Sequence, residues 1–137
     1  MTDDRGRGPL LQIGQVAEAT GLSLKTIRHY DEMGLVAPSE RSPGGFRLYT
    51  PADVERLLVI RRMKPLGFTL EQMRDLLAAL DTLADPQAPA GVRGDAALFV
   101  DQCSDAAHQR CAELRDQLAI AEEFADTLAG AAARHRV

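Results

Sequence analysis

Through the N-terminal half of the chain, short apolar runs at helical spacing alternate with glycines that stop them. Ile13, Val16 and Ala17 recur at three- and four-residue steps and Thr20-Gly21 closes the run, which predicts a short first helix. Ser23 is a good N-cap for a second helix, whose stripe of Leu24, Ile27, Tyr30 and Met33 ends at Gly34. Two short helices joined by a Thr-Gly-Leu turn predict a helix-turn-helix. Pro38, Pro43 and the Gly44-Gly45 pair then punctuate two short stretches, 37–41 and 46–49, in the manner of a hairpin with a glycine-rich tip. Thr50 followed by Pro51 starts a third helix carrying Val54, Leu57, Leu58, Ile60 and Met63, which Gly67 ends. Thr69 and Gln72 form a capping box for a fourth, with Leu70, Met73, Leu76, Leu77 and Leu80 as its buried face.

The C-terminal part has a different rhythm. Residues 81–95 hold two prolines and two glycines and are expected to be a linker. From 96 to 130 there is no proline, and Val100, Cys103, Ala107, Cys111, Leu114, Leu118, Ala121, Ala125 and Leu128 form a heptad seam with one stutter between Ala107 and Cys111. A helix of that length, roughly 50 Å, cannot bury its seam on a small domain of its own chain, so a partner helix is expected. The alternative is a pair of shorter helices folded back near Gly130. Residues 1–10, polar and without periodicity, are expected to be a disordered tail and residues 131–137 a short one.

Composition narrows the possibilities. A chain of 137 residues, 45% hydrophobic and 26% charged, suits a globular protein and excludes a large multidomain enzyme. No apolar run is long enough for a membrane span and none follows the N-terminus as a secretory signal would, so a cytoplasmic location is expected. The net charge of −4 is divided unevenly: residues 1–80 carry eleven basic and ten acidic side chains, residues 81–137 five and ten. The acidic half is unsuited to nucleic acid, and in the other half position must decide. No serine with a histidine base, phosphate-binding glycine loop or isolated carboxylate pair suggests catalysis, and no cofactor is implied.

Residues 13–77 strongly resemble the DNA-binding domain of the MerR family of bacterial transcription regulators. The pieces occur in order: the helix-turn-helix, a wing with Arg41, Gly45, Phe46 and Arg47, the Tyr49-Thr50 boundary, and the Leu66-Gly67-Phe68 turn. The resemblance implies a mainly α fold in which a winged helix-turn-helix domain with a small β-hairpin wing, over residues 11–80, precedes a long antiparallel dimerisation helix over 96–130. It implies a homodimer that binds a pseudo-palindromic promoter operator and distorts double-stranded DNA so that RNA polymerase is engaged indirectly. An excisionase-like architectural factor that bends DNA is the alternative.

The side chains fit that chemistry. Lys25 and Arg28 are three apart and therefore neighbours on the second helix, flanked by Thr26 and Tyr30, with Leu24 and Ile27 facing inward. They offer charges for phosphates and a guanidinium for guanine edges, although Arg28 could instead pair with Asp31 or Glu32 and Tyr30 could be core. His29 is expected as a partly buried ring. Arg41 and Arg47 flank the wing tip where they can straddle a backbone; Tyr49 is expected to add a hydroxyl to phosphate, with packing as its alternative. Arg61, Arg62 and Lys64 cluster where the resemblance has a second wing, with a solvated face as the alternative, and Pro65 departs from the family's usual sequence.

Cys103 and Cys111 lie on the seam. Eight residues apart on one helix, they stand about 12 Å from each other along the axis and cannot share a metal within a chain, so buried interface cysteines are expected. A thiol- or metal-responsive site across the dimer, joining Cys103, Cys111 and His108 of two chains, is the sharper alternative.

Overall fold

The computed structural model describes residues 9–136, so most of the expected N-terminal tail lies outside the described residues. The chain divides into two compact units, Met1–Leu77 and Ala78–Val137. In chain order the elements are β1 (Leu11–Gln12), α1 (Ile13–Thr20), α2 (Leu24–Glu32), β2 (Glu40–Arg41), β3 (Arg47–Tyr49), α3 (Pro51–Met63), a 3-10 turn (Lys64–Leu66), α4 (Leu70–Ala84) and α5 (Ala90–Arg134). The fold is therefore mainly α with a small sheet, as the periodicity implies.

In the first unit Val16, Ile27, Tyr30, Leu35, Val36, Tyr49, Leu57, Ile60, Met63, Met73 and Leu77 form one core. Each such apolar side chain removed from water contributes about 1.5–3 kcal/mol, enough to hold short helices that would not persist alone. The turn between α1 and α2 is built on Thr20, fully buried, whose hydroxyl donates to the Val16 carbonyl at 2.8 Å and accepts from the Leu22 amide at 3.2 Å. Gly21 follows at φ +73°, a left-handed conformation that favours glycine. Arg74 of α4 donates to the Met33 carbonyl and so satisfies the end of α2.

The sheet has three strands in the order β1-β3-β2, all antiparallel, with Leu11 opposite Tyr49 and Arg41 opposite Arg47. β1 was not expected from the sequence, because two residues carry no measurable alternation. The wing strands are also shorter than the two stretches that predicted them. Leu24 and Met33, expected on the inner stripe of α2, are exposed, as is Leu80 of α4. A nine-residue helix needs only two inward side chains to seat it, and Ile27 and Tyr30 fill that role.

The caps fall where their residues point. Ser23 accepts the Thr26 amide at 3.1 Å, and Thr69 and Gln72 exchange bonds at 2.9 and 3.1 Å. The Thr50 cap is tied into the wing's base: the buried Asp53 carboxylate accepts from the Thr50 amide at 2.9 Å and from the Ser39 amide and hydroxyl at 3.2 and 2.6 Å. This single carboxylate joins the start of α3 to the segment that leads into β2.

In the second unit the expected linker shrinks. α4 continues to Ala84 and α5 begins at Ala90, leaving 85–89 between them. Pro89 occupies the N-cap of α5, where its missing amide costs nothing, while Gly91 and Gly94 sit inside the helix at about 1 kcal/mol each relative to alanine. Arg93 donates to the Leu83 carbonyl at 3.1 Å and to the Asp85 carbonyl, satisfying groups that the end of α4 leaves open. α5 runs unbroken for 45 residues, past Gly130, so the folded-back pair of helices is not formed and most of the short C-terminal tail is helical. No helix among the described residues is long and apolar enough to cross a membrane.

Asp53→Ala should lower unfolding free energy by about 3 kcal/mol, because three donors lose a charged acceptor at once. Urea denaturation with an unchanged m-value is the check, and a loss under about 1 kcal/mol would mean that water replaces the carboxylate.

Candidate nucleic-acid interface

With Ile27 and Tyr30 turned into the core, the helical period turns Lys25, Arg28, His29 and Glu32 outward, and all four are exposed. His29 is thus a surface ring, not the partly buried one expected; it stands off Tyr30 with ring centroids 6.2 Å apart. Thr26 is half-buried, and its hydroxyl accepts from Ser23 at 2.9 Å, part of the local cap. Tyr30 is 3% exposed and does not reach the surface with Arg28, because it shares the inward face with Ile27 one turn before it.

The wing tip is a tight turn. The Ser42 amide donates to the Phe46 carbonyl at 2.9 Å, the Gly45 amide to the Ser42 carbonyl at 2.8 Å, and Gly45 adopts φ +83°. A Cβ on Gly44 would stand 3.1 Å from the Phe46 ring, so the ring lies directly over that glycine. Phe46 itself is 71% exposed at the tip.

Arg41 and Arg47 face each other across the β2-β3 ladder, an arrangement of like charges that repels. Asp31 of α2 resolves it. One carboxylate oxygen accepts from the Arg47 Nε at 2.7 Å and from an Arg41 terminal nitrogen at 3.1 Å, with the Asp31 side chain 12% exposed. The other Arg41 terminal nitrogen reaches the Gly45 carbonyl at 3.5 Å, the long end of a hydrogen bond. The bond to Asp31 raises Arg47 further above an already high pKa, so its charge persists at any working pH. The residues 12–14 at the start of α1, Arg28 and the wing residues 45–47 line one shallow recess of about 160 Å³.

Tyr49 departs from expectation. It is completely buried on the central strand, and its hydroxyl has no hydrogen-bond partner among the described residues. Burial foremost, and the nearby Asp31 charge next, push its phenol pKa up. The side chain packs in the core cluster and is not exposed to a phosphate.

Farther along, Arg61, Arg62 and Lys64 are all exposed. The Arg61 guanidinium lies against the helix-turn-helix, 3.6 Å from where a Cβ on Gly21 would be. Pro65 turns the end of α3 into a 3-10 turn whose carbonyl at Lys64 accepts the Gly67 amide at 3.1 Å.

On α5, Cys103, Ala107, Cys111 and Leu114 are half-buried, while Leu118, Ala121, Ala125 and Leu128 are exposed. Ile120 and Phe124, 67% and 61% exposed, widen the seam on one side. A strict heptad count omits them. Burial pushes the Cys103 thiol up, toward its protonated and less nucleophilic form. The His108 Nδ1 lies 2.8 Å from the Ser104 carbonyl of its own helix, and among the described residues no group of three or more His, Cys, Asp and Glu is placed to hold a metal.

Residues 11–80 match the model of the MerR HTH family regulatory proteins. The chain belongs to that family. MerR-family relatives are transcription regulators, not enzymes. The chain is 46% identical over 76 residues to the HTH-type transcriptional activator TipA of Streptomyces coelicolor, a match covering 56% of this chain and 29% of TipA. It spans about a third of the length of the curated relatives it matches first. Among solved structures, it is similar to the transcription regulator PbrR691 from Ralstonia metallidurans CH34 in complex with lead(II), at 31% identity and TM-score 0.56, over 85% of this chain and 84% of that one. HiNmlR, a MerR family regulator lacking the sensor domain and bound to promoter DNA, shares the fold at TM-score 0.65 and 23% identity, over 91% and 94% of the two chains.

Tyr49→Phe separates packing from contact. Removing an unpartnered buried hydroxyl should leave stability unchanged or raise it by about 1 kcal/mol, with duplex affinity unaltered. A measurable loss of affinity in a salt-matched binding assay would return Tyr49 to the interface.

Proposed function

We propose that this MerR-family chain is a regulator that binds a pseudo-palindromic promoter operator as a homodimer and distorts the duplex to control transcription. The observation that carries the reading is the convergence of Arg28 on α2 with Phe46 and Arg47 of the wing around one recess, with Arg41 tied to Arg47 through Asp31. A helix of this kind enters the major groove with its exposed face toward base edges, while the wing follows the adjoining backbone. Lys25 is the phosphate contact on that face and Arg28 the base-reading guanidinium. Arg61, Arg62 and Lys64 extend the basic surface along the backbone.

The exposed row on α5 supports the homodimer. Four large apolar side chains in the C-terminal half of α5, Leu118, Ile120, Phe124 and Leu128, stand more than half exposed on a helix roughly 65–70 Å long at about 1.5 Å per residue. A second copy of the same helix, antiparallel, buries them together with Cys103, Ala107, Cys111, Leu114, Ala121 and Ala125. Two recognition helices held at one separation then select half-sites at one spacing, and DNA with a different spacing must twist or bend to fit. Such deformation costs several kcal/mol, which the phosphate contacts offset. RNA polymerase responds to the altered promoter, so its engagement is indirect. The acidic C-terminal half keeps the rest of the chain off the duplex.

Arg28→Ala should weaken operator binding by about 1–3 kcal/mol and relax preference at one base position. Wild-type affinity at matched salt would remove Arg28 from base readout. Leu118→Asp should give a monomer by sedimentation, since an unpaired carboxylate in an apolar seam is costly. A stable dimer that still binds a full operator would locate the dimer contact elsewhere.

A further inference from the structure

We propose that Asp31 is a positioning residue for DNA binding: its carboxylate holds Arg41 and Arg47 in the geometry that receives a phosphate, so an acidic residue on the DNA-facing side strengthens binding. The inference rests on the DNA-binding reading and goes beyond it. Arg47 is held through Nε, which leaves its two terminal nitrogens for another acceptor, and Arg41 uses one terminal nitrogen on Asp31. Asp31 therefore holds the Arg47 guanidinium at its base and the Arg41 guanidinium at one end, and leaves donors over on both. The two arginines stand opposite each other in the ladder, so without the carboxylate their repulsion would splay a hairpin whose strands have two and three residues. Arg47, at 24% side-chain exposure, is the better immobilised of the two; Arg41 is at 50%.

Two opposed effects follow from this carboxylate, and they make the inference testable. Charge alone says that Asp31 repels phosphate, so that neutralising it should tighten binding. Pre-organisation says that arginines already held lose less freedom on binding, so that neutralising Asp31 should weaken it. The geometry favours the second, because one oxygen serves both arginines and no other carboxylate among the described residues bonds either of them.

The test compares wild type, Asp31→Asn and Asp31→Glu on a duplex selected in vitro from a random-sequence pool. Asp31→Asn should raise Kd about three- to tenfold, the equivalent of ordering one or two long side chains, with the slope of affinity against salt unchanged. Asp31→Glu restores the acceptor and should bring Kd back to within about twofold of wild type. Trypsin gives a readout that needs no DNA: cleavage after Arg41 and Arg47 should be faster in Asp31→Asn than in the other two proteins. Wild type that binds while Asp31→Asn binds as tightly or more tightly overturns the positioning role alone. Wild type that binds no duplex removes the DNA-binding reading and the positioning role together. Equal tryptic rates in all three proteins overturn the clamp whatever the binding result. Should Asp31→Asn fail to fold, Arg47→Lys keeps the charge but lacks the fork that serves two acceptors. It should weaken binding with an unchanged melting temperature, and wild-type affinity would overturn the proposal.

Discussion

Burial of one side of α2 governs the rest of the first unit. Ile27 and Tyr30 are three residues apart on a helix of nine, and seating both in the core leaves no freedom to rotate the helix about its axis. Lys25 and Arg28 are outward because Ile27 is inward. Asp31 lies beside Tyr30 at the edge between the two faces, where it is within reach of the wing and still partly solvated. The basic surface and its internal counter-charge are thus consequences of two apolar contacts, and a core substitution that rolled α2 by a small angle would misplace all of them together.

The wing depends on this constraint from a distance. Two- and three-residue strands contribute few ladder bonds and would not persist by themselves. Three attachments hold them: β1 along the free edge of β3, Asp53 binding Ser39 at the base, and Asp31 binding the two arginines near the tip. The first two hold the wing through the strand ladder and its base, whereas the third uses the groups expected to meet phosphate. On the proposed reading, fixation and recognition share side chains at the tip of the wing, and this is where sequence changes are expected to trade one against the other.

How legible these features were in the sequence follows the range of the interactions. Caps and stops are local: Ser23, Thr50 and Thr69 bond amides three residues away, and Gly21 and Gly67 adopt left-handed turns that the next residues require. The Asp31 clamp spans ten and sixteen residues, and a helix-based reading offers Arg28 as the nearer partner for Asp31. Tyr30 and Tyr49, each open to surface or core on the sequence, both lie in the core. Amphipathic tyrosines suit a phosphate contact and a core equally, and only the tertiary packing of α2 and β3 decides for the core. In α5 the error is one of extent. Gly91, Gly94 and Gly130 each weaken a helix, but not enough to stop one that prolines do not interrupt.

The charge balance of the first unit gains a meaning from its pairing. Eleven basic and ten acidic side chains over residues 1–80 look poorly suited to a polyanion if the charges are summed. Summation misses that two of the ten carboxylates are spent on structure: Asp53 on a cap and a loop, Asp31 on two guanidiniums. Each such carboxylate lowers the long-range attraction for phosphate while reducing the disorder of the groups that make short-range contacts. A surface built this way gives up some nonspecific affinity, which depends on charge number, and keeps the oriented contacts, which depend on geometry. If the proposed operator binding holds, the ratio of those two affinities matters more than either alone.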